Sequence, residues 1–259
     1  MPIANVNETK THYELSGPVR APLLVFSNSL GSDLSMWDTQ MPEVQTKYRV
    51  LRYDTRGHGQ TSVTPGAYTI EQLGRDVLGL LDALSLDEFA FCGLSMGGMV
   101  GMWLGAHAYH RVQKLVLCST AAKIGNEETW DARIAAVRKG GMKSISQTVM
   151  ERWFTARFRS SQPDAVARTK RMIEATDVEG YVGCCGALRS GDLRESVGSI
   201  RTRTLVISGT HDPATTPADG RFLAERISGA RYIELDAAHL SNIEQGPSFT
   251  RELTNFLAN

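Results

Sequence analysis

The stretch Ala90-Phe91-Cys92-Gly93-Leu94-Ser95-Met96-Gly97-Gly98-Met99 decides the fold of this chain. An apolar run leads into Gly-x-Ser-x-Gly, and small residues follow it, a pattern that predicts a strand, a very sharp turn and a helix. Ser95 lies at the apex of that turn, and the glycines on either side leave room for it. The Met96 amide then lies at the positive end of the helix, beside the Ser95 hydroxyl. A hydroxyl next to an amide that stabilises an oxyanion is what acyl transfer requires.

The same pentapeptide also arises by chance, since the chain contains 24 glycines. Its surroundings therefore have to decide whether Ser95 is a nucleophile. The tests are a strand before the motif, a helix after it, and an acid and a base later in the chain.

Composition and charge fit an ordinary globular protein of one large domain, or of one domain with an insertion. The chain has 259 residues, 42% of them hydrophobic and 22% charged, and its formal net charge is zero. Zero net charge argues against a nucleic-acid or membrane-surface partner. The first residues lack an apolar segment of signal-peptide length, and no stretch approaches the roughly 20 apolar residues of a membrane span. We therefore expect a cytoplasmic protein, whose oligomeric state the sequence leaves open.

The cysteines indicate neither a metal site nor a disulfide framework. Their spacing fits no zinc pattern, and two of the four lie in apolar, strand-like runs. We expect reduced and mostly buried thiols, with a redox role for the adjacent pair as the alternative. The four residues are Cys92, Cys118, Cys184 and Cys185. No metal or cofactor is expected.

Strands and helices alternate over most of the chain. Residues 3–16 resemble a hairpin, and further buried strands are predicted in the apolar run before Ser95 and at 23–28, 48–53, 114–118, 204–208 and 231–235. Helices are predicted around Trp37, after Ser95, and at 70–84, 217–228 and 247–257. This alternation predicts an α/β fold with a mostly parallel eight-stranded sheet covered by helices on both faces.

Residues 127–191 interrupt the alternation with four helical patterns and no clear strand. We interpret residues 122–195 as an inserted all-helical cap, and residues 1–121 and 196–259 as the core. The loops that follow parallel strands gather at one edge of the sheet. The cap is expected to lie above that edge.

Two post-strand loops supply partners for Ser95. Asp212 follows the strand at 204–208, and His239 follows the strand at 231–235. The order Ser, Asp, His with a carboxylate that orients the base is that of a nucleophilic triad. His211 remains an alternative base and Asp236 an alternative acid, although each lies very close in sequence to its proposed partner.

Other polar residues near the strand ends have less specific interpretations. His58 is expected to be structural or to line the pocket, and His107 and His110 to lie on the surface. Asp54 and Arg56 are expected to hold their own loop by hydrogen bonds. A second oxyanion donor should come from the loop after the strand at 23–28, where we choose the Leu30 amide to act with that of Met96.

These features together resemble the α/β-hydrolases over essentially the whole chain. The resemblance rests on the Gly-x-Ser-x-Gly turn, the triad order, the Asp54-x-Arg-Gly-His-Gly turn and the helical insertion. Most members carry His-Gly in the oxyanion loop, where this chain has Asn28-Ser29. That departure is similar to the Ser-Asn-Ser-Leu-Gly loop of 3-oxoadipate enol-lactonases, bacterial enzymes of aromatic-compound breakdown. Further likeness comes from Trp130-Asp-Ala-Arg-Ile, Glu151-Arg-Trp-Phe and Ala238-His-Leu-Ser-Asn-Ile-Glu-Gln.

The resemblance implies hydrolysis of an anionic lactone that carries a free carboxylate. Residues 122–195 hold 13 Lys and Arg against 10 Asp and Glu, a weak signal for a cationic cap. Arg133 is the candidate for the substrate carboxylate, because it shares a helical face with Trp130. Trp153 and Ser29 are the other candidate pocket residues. In the alternative, both tryptophans pack cap helices and Arg133 is solvated.

Three functions stay open at this point. The first is enol-lactone hydrolysis, and the second is a carboxylesterase or perhydrolase that acts on neutral esters. The third is a non-catalytic binding module on the same fold. Dehalogenase and epoxide-hydrolase chemistry is disfavoured, since those relatives use Asp as the nucleophile where this chain has Ser95.

Overall fold

The computed structural model describes residues 2–259. One eight-stranded sheet runs through the molecule in the order β1-β2-β4-β3-β5-β6-β7-β8. The strands are β1 Ile3–Val6, β2 Thr9–Ser16, β3 Leu23–Ser27, β4 Arg49–Tyr53, β5 Phe89–Leu94, β6 Val112–Cys118, β7 Arg203–Gly209 and β8 Arg231–Leu235. Only the β1–β2 and β2–β4 pairs are antiparallel among these strands. The predicted mostly parallel, eight-stranded sheet is confirmed.

Eleven α-helices accompany the sheet within the described residues. They are α1 Met41–Val44, α2 Ile70–Ala83, α3 Met96–His107, α4 Glu127–Gly140, α5 Lys143–Trp153, α6 Ala156–Ser161, α7 Pro163–Glu174, α8 Val178–Ser190, α9 Pro217–Arg226, α10 Ser241–Glu244 and α11 Gly246–Ala258. The segment around Trp37 is a single turn of 3₁₀ helix, Leu34–Trp37, where the sequence predicts a helix. The Asp33 side chain caps this turn by accepting from the Ser35 amide. No helix in this described part of the chain is both long and apolar enough to span a membrane.

The middle of the sheet is buried on both faces. Every residue of β3 is buried, as are all residues of β5 except Ala90. Strands covered on both sides have no need for polar alternation, which explains their continuous apolar sequences. Helix α3, directly after the central strand β5, is itself buried along most of its length. The Ser95 turn between them is therefore held by two buried elements.

Helices α4 to α8 form the insertion between β6 and β7. Capping residues punctuate it: Asn126 begins α4, Thr155 begins α6 and Asp177 begins α8, each accepting a hydrogen bond from the first turn. The sequence pattern predicts four helices in this segment, and the structure adds the short α6. Its apolar side chains are too few to show a helical period, so its existence depends on the Thr155 cap.

Candidate active site

The turn between β5 and α3 places Ser95 in a backbone conformation that is rare outside glycine. Ser95 has φ 58° and ψ −113°, and neighbouring strands hold it there. Its amide donates to the Cys118 carbonyl at 2.9 Å, and the Thr120 hydroxyl donates to the Ser95 carbonyl at 2.7 Å. Strained conformations of this kind persist only where the surroundings determine them, and they cluster at functional sites.

Close backbone approaches explain the two glycines of the motif. A Cβ atom on Gly93 would lie 2.1 Å from the Gly97 carbonyl oxygen, and one on Gly97 would lie 2.3 Å from the Ser27 carbonyl oxygen. Neither glycine has a positive φ. The motif therefore needs glycine here to bring β3, β5 and α3 together, and not for left-handed backbone.

His239 and Asp212 form a buried hydrogen-bonded pair. His239 Nδ1 lies 2.7 Å from Asp212 Oδ2, and the two side chains are 3% and 0% exposed. The amides of Ala214 and Thr215 and the Thr215 hydroxyl also donate to the Asp212 carboxylate. Burial raises the pKa of Asp212, but the charge of His239 and these hydrogen bonds outweigh it, so the pKa lies below its ordinary value. An ionised Asp212 orients the imidazole and leaves Nε2 for the nucleophile.

The alternative acid and base lie elsewhere. His211 Nε2 contacts Asp236 Oδ1 at 2.9 Å, and both side chains are more than half exposed. Asp236 also accepts from Arg157 of α6. Neither His211 nor Asp236 lines the cavity that contains Ser95 and His239. His107 and His110 are exposed, as expected.

The oxyanion loop after β3 is held rigidly. The Asn28 side chain donates to the Tyr53 carbonyl at 2.8 Å and accepts from the Trp37 indole at 2.9 Å. The Asn28 carbonyl accepts from the Gly97 amide at 3.1 Å, which ties the loop to the first turn of α3. The Leu30 amide has no acceptor within residues 2–259, and the Met96 amide belongs to the first helical turn, where such groups lack an intrahelical partner. Both donors are thus available to a ligand.

His58 has a structural role, one of the two that the sequence predicts for it. Its Nε2 accepts from the Gly31 amide at 2.9 Å, and its Nδ1 lies 3.2 Å from the Arg56 carbonyl. Burial lowers the pKa of His58 to about 4, which the hydrogen bond to Arg56 only partly offsets. The ring is therefore neutral near pH 7, with the proton on Nδ1 and an acceptor on Nε2. In this tautomer Nε2 accepts from the amide of Gly31, the residue after Leu30, and so holds the oxyanion loop.

Asp54 and Arg56 anchor the turn that carries His58. Asp54 accepts from His12 at 2.7 Å and from the amides of Leu34 and Gln60. Arg56 makes two 2.7 Å contacts with Asp76 of α2. These bonds agree with the expectation that both residues hold their own loop.

A cavity of about 280 Å³ lies between core and cap at the carboxyl edge of the sheet. Ser95, His239, Leu30 and Ser29 line it from the core. From the cap it is lined by residues that include Trp130, Arg133, Arg152 and Trp153. The structure thus brings the predicted pocket residues together around the Ser95 hydroxyl. Besides lining the cavity, Trp130 is fixed by a hydrogen bond, since its indole donates to the Ile124 carbonyl at 2.7 Å.

The cavity contains two guanidinium groups without a counter-ion. Arg133 donates to the Tyr181 hydroxyl at 3.2 Å, and Arg152 is half-buried at the end of α5. Neither pairs with a carboxylate of residues 2–259. Burial and then the charge of Arg133 lower the pKa of Arg152. Sequence reasoning missed Arg152, and its one signal was its place directly before Trp153.

Comparisons with known proteins identify the family to which this fold belongs. The family model described as the α/β hydrolase fold matches residues 22–245. The chain is 43% identical over 255 residues to 3-oxoadipate enol-lactonase 2 of Acinetobacter baylyi, covering 96% of each chain. It is 40% identical to 3-oxoadipate enol-lactonase 1 of the same organism, covering 94% of this chain and 91% of the relative. The crystal structure of the enol-lactonase from Burkholderia xenovorans LB400 superposes with a TM-score of 0.98 at 48% identity, covering all of both chains.

Proposed function

The chain belongs to the α/β-hydrolase fold family, and from this premise we propose that it is a serine hydrolase that opens 3-oxoadipate enol-lactone to 3-oxoadipate. The reaction belongs to the breakdown of aromatic compounds. The observation that carries the proposal is the pair of unpaired guanidinium groups, Arg133 and Arg152, in the cavity of Ser95. The full-length relatives that are named enol-lactonases support the choice of lactone.

In the first step, His239 takes the proton of the Ser95 hydroxyl as Ser95 attacks the lactone carbonyl. The amides of Leu30 and Met96 stabilise the negative charge that develops on the carbonyl oxygen, each worth about 3 kcal/mol. The carbon–oxygen bond of the ring then breaks. The leaving enol oxygen takes the proton from His239, and the enol becomes a ketone.

In the second step, His239 removes a proton from a water molecule that attacks the acyl-enzyme. The second tetrahedral intermediate uses the same amides, and its collapse returns the proton to Ser95. The released acid has two carboxylates, one of them new. Apart from this water molecule, these steps use only the chain's own residues.

The arginine pair explains why an anionic lactone fits better than a neutral ester. A carboxylate that binds between Arg133 and Arg152 forms charge-assisted hydrogen bonds, and guanidinium groups match its geometry. It also offsets the burial and the charge of Arg133, which together lower the pKa of Arg152. Apolar side chains, including Val149 and Leu188, line the same cavity and suit the lactone ring.

The alternative substrate class is a neutral ester, which the apolar lining also accommodates. A non-catalytic binding module is disfavoured, since the buried Asp212–His239 pair has no use in simple binding. The four free cysteines support a cytoplasmic location, where thiols stay reduced.

The deciding experiment compares hydrolysis of 3-oxoadipate enol-lactone with that of neutral esters of similar size. We expect the lactone to have the highest kcat/KM, and the Ser95→Ala variant to fold normally without turnover. A wild-type protein that cleaves neutral esters but leaves the lactone intact would refute the lactone assignment. Turnover in Ser95→Ala would refute the serine mechanism itself.

A further inference from the structure

The loop that carries His239 is fastened to the cap on both sides of the histidine. We call residues 153–157, from the last residue of α5 to the first turn of α6, the cap strap. Residues 236–240, after β8, are the histidine loop. The Leu240 amide donates to the Trp153 carbonyl at 3.1 Å. The Ala238 amide donates to Glu244 Oε2 at 3.0 Å. The two amides that flank His239 are therefore both occupied.

Glu244 connects the second of these amides to the cap strap. Its Oε2 accepts from the Thr155 amide at 3.2 Å, and its Oε1 accepts a short hydrogen bond from the Thr155 hydroxyl. One carboxylate thus receives three donors, two from the cap and one from the histidine loop. A carboxylate has enough lone pairs for all three, whereas an amide oxygen replaces only one of the two acceptors.

A third contact completes an antiparallel pattern. Arg157 of α6 contacts Asp236 at 2.9 Å. Strap residues 153, 155 and 157 are thus linked to loop residues 240, 238 and 236 in that order, the middle pair through Glu244. This outer pair is more than half exposed on both sides and contributes little. The connections through Trp153 and Glu244 are the ones that act on His239.

We propose that Glu244 is a positioning residue for His239. By bonding to both the histidine loop and the strap, Glu244 couples the position of the general base to that of the cap. The inner end of the strap is Trp153, and it lines the cavity next to Arg152. A shift of α5 on substrate binding would therefore move the histidine loop, because the strap joins the loop directly at Trp153 and through one side chain, Glu244, at Thr155. The proposal rests on the serine-hydrolase part of the proposed function and is independent of the lactone.

The test measures acylation of Ser95 by p-nitrophenyl acetate in the whole protein, because this neutral ester makes no use of the cap arginines. We expect Glu244→Gln to slow acylation about 10-fold, part of the factor that a well-placed general base supplies. Thr155→Val should slow it several-fold and Thr155→Ser should restore the rate, since serine keeps the hydroxyl. KM for the ester should change little.

A double variant and a proton resonance separate positioning from simple stability. If Glu244 acts through Thr155, Glu244→Gln with Thr155→Val should be no slower than Glu244→Gln alone. The low-field proton of His239 Nδ1 in its bond to Asp212 should shift in Glu244→Gln. Glu234→Gln is the matched control: Glu234 lies on β8 and pairs with Arg221 and Tyr232 away from the strap, so its rate and spectrum should stay those of the wild type.

Acylation within about two-fold of wild type in both Glu244→Gln and Thr155→Val would overturn the proposal, as would an additive double variant. If Glu244→Gln fails to fold, the contrast between Thr155→Val and Thr155→Ser decides alone. A wild-type protein that hydrolyses the ester but not the lactone would refute the lactone assignment and leave this inference standing.

Discussion

Replacing Arg152 by Met tests the charge that the sequence did not reveal. The substitution keeps the length and apolar stem of the side chain and removes the guanidinium. A charged hydrogen bond contributes about 1.5–3 kcal/mol. Since Arg152 is only half-buried and Arg133 stays in place, we take about 2 kcal/mol, which corresponds to a loss of roughly 30-fold in kcat/KM for the lactone.

The loss should appear in KM more than in kcat, because the substrate carboxylate keeps its charge throughout the reaction. Steady-state kinetics with the lactone and with a neutral ester provide the measurement. The neutral ester should react at the wild-type rate in Arg152→Met. Arg138→Met is the matched control, since Arg138 lies on the cap helix α4 and pairs with Glu179 at the surface.

Equal losses with lactone and neutral ester would refute the reasoning. They would show that Arg152 acts on the triad, whose Asp212 carboxylate partly offsets the lowering of the Arg152 pKa. Unchanged KM for the lactone would remove Arg152 from substrate binding altogether.

Three further predictions concern the core. Asp212→Asn should lower kcat by about 10⁴-fold at unchanged fold, because the amide lacks the carboxylate charge and can hold the imidazole in the wrong tautomer; stopped-flow acylation measures this, and a decrease of less than ten-fold would contradict it. Because the pKa of His58 falls from 6.5 to about 4 on folding, its contribution to stability is complete above pH 6.5 and disappears between about pH 6.5 and 4. The free energy of unfolding, measured by urea titration at several pH values, should therefore decrease more steeply towards acid pH in the wild type than in His58→Gln. Equal pH dependence in the two proteins would show that His58 does not cause the loss of stability. Gly97→Ala should destabilise the fold by about 1–3 kcal/mol through the clash with Ser27; a melting temperature equal to that of the wild type would show that the turn can relax.

What the sequence predicts well is local. The Ser95 turn is encoded within a few residues, and the loops with Asp212 and His239 follow strands that the alternation with helices predicts. Parallel topology then brings their ends to one edge. Arg133 and Trp130 are found because a helical period places them on one face.

What the sequence predicts poorly depends on how separate elements pack. Arg152 lines the cavity because of how α5 is oriented on the core. The spacing of apolar residues within α5 does not determine that orientation. The bond from Gly31 to His58 joins two loops whose approach no pattern encodes. The Glu244 connection joins α10 to the cap across 89 residues of sequence.

The insertion of the cap between β6 and β7 has a consequence for protein engineering. Recognition and chemistry lie on segments that can be exchanged as blocks, so chimeras with caps of related hydrolases are an obvious route to new substrates. The fastening at Trp153 and Thr155 sets the condition for success: a foreign cap must present a carbonyl to Leu240 and a hydroxyl to Glu244. Grafts chosen on pocket shape alone, without these two groups, should bind their new substrates and turn them over slowly.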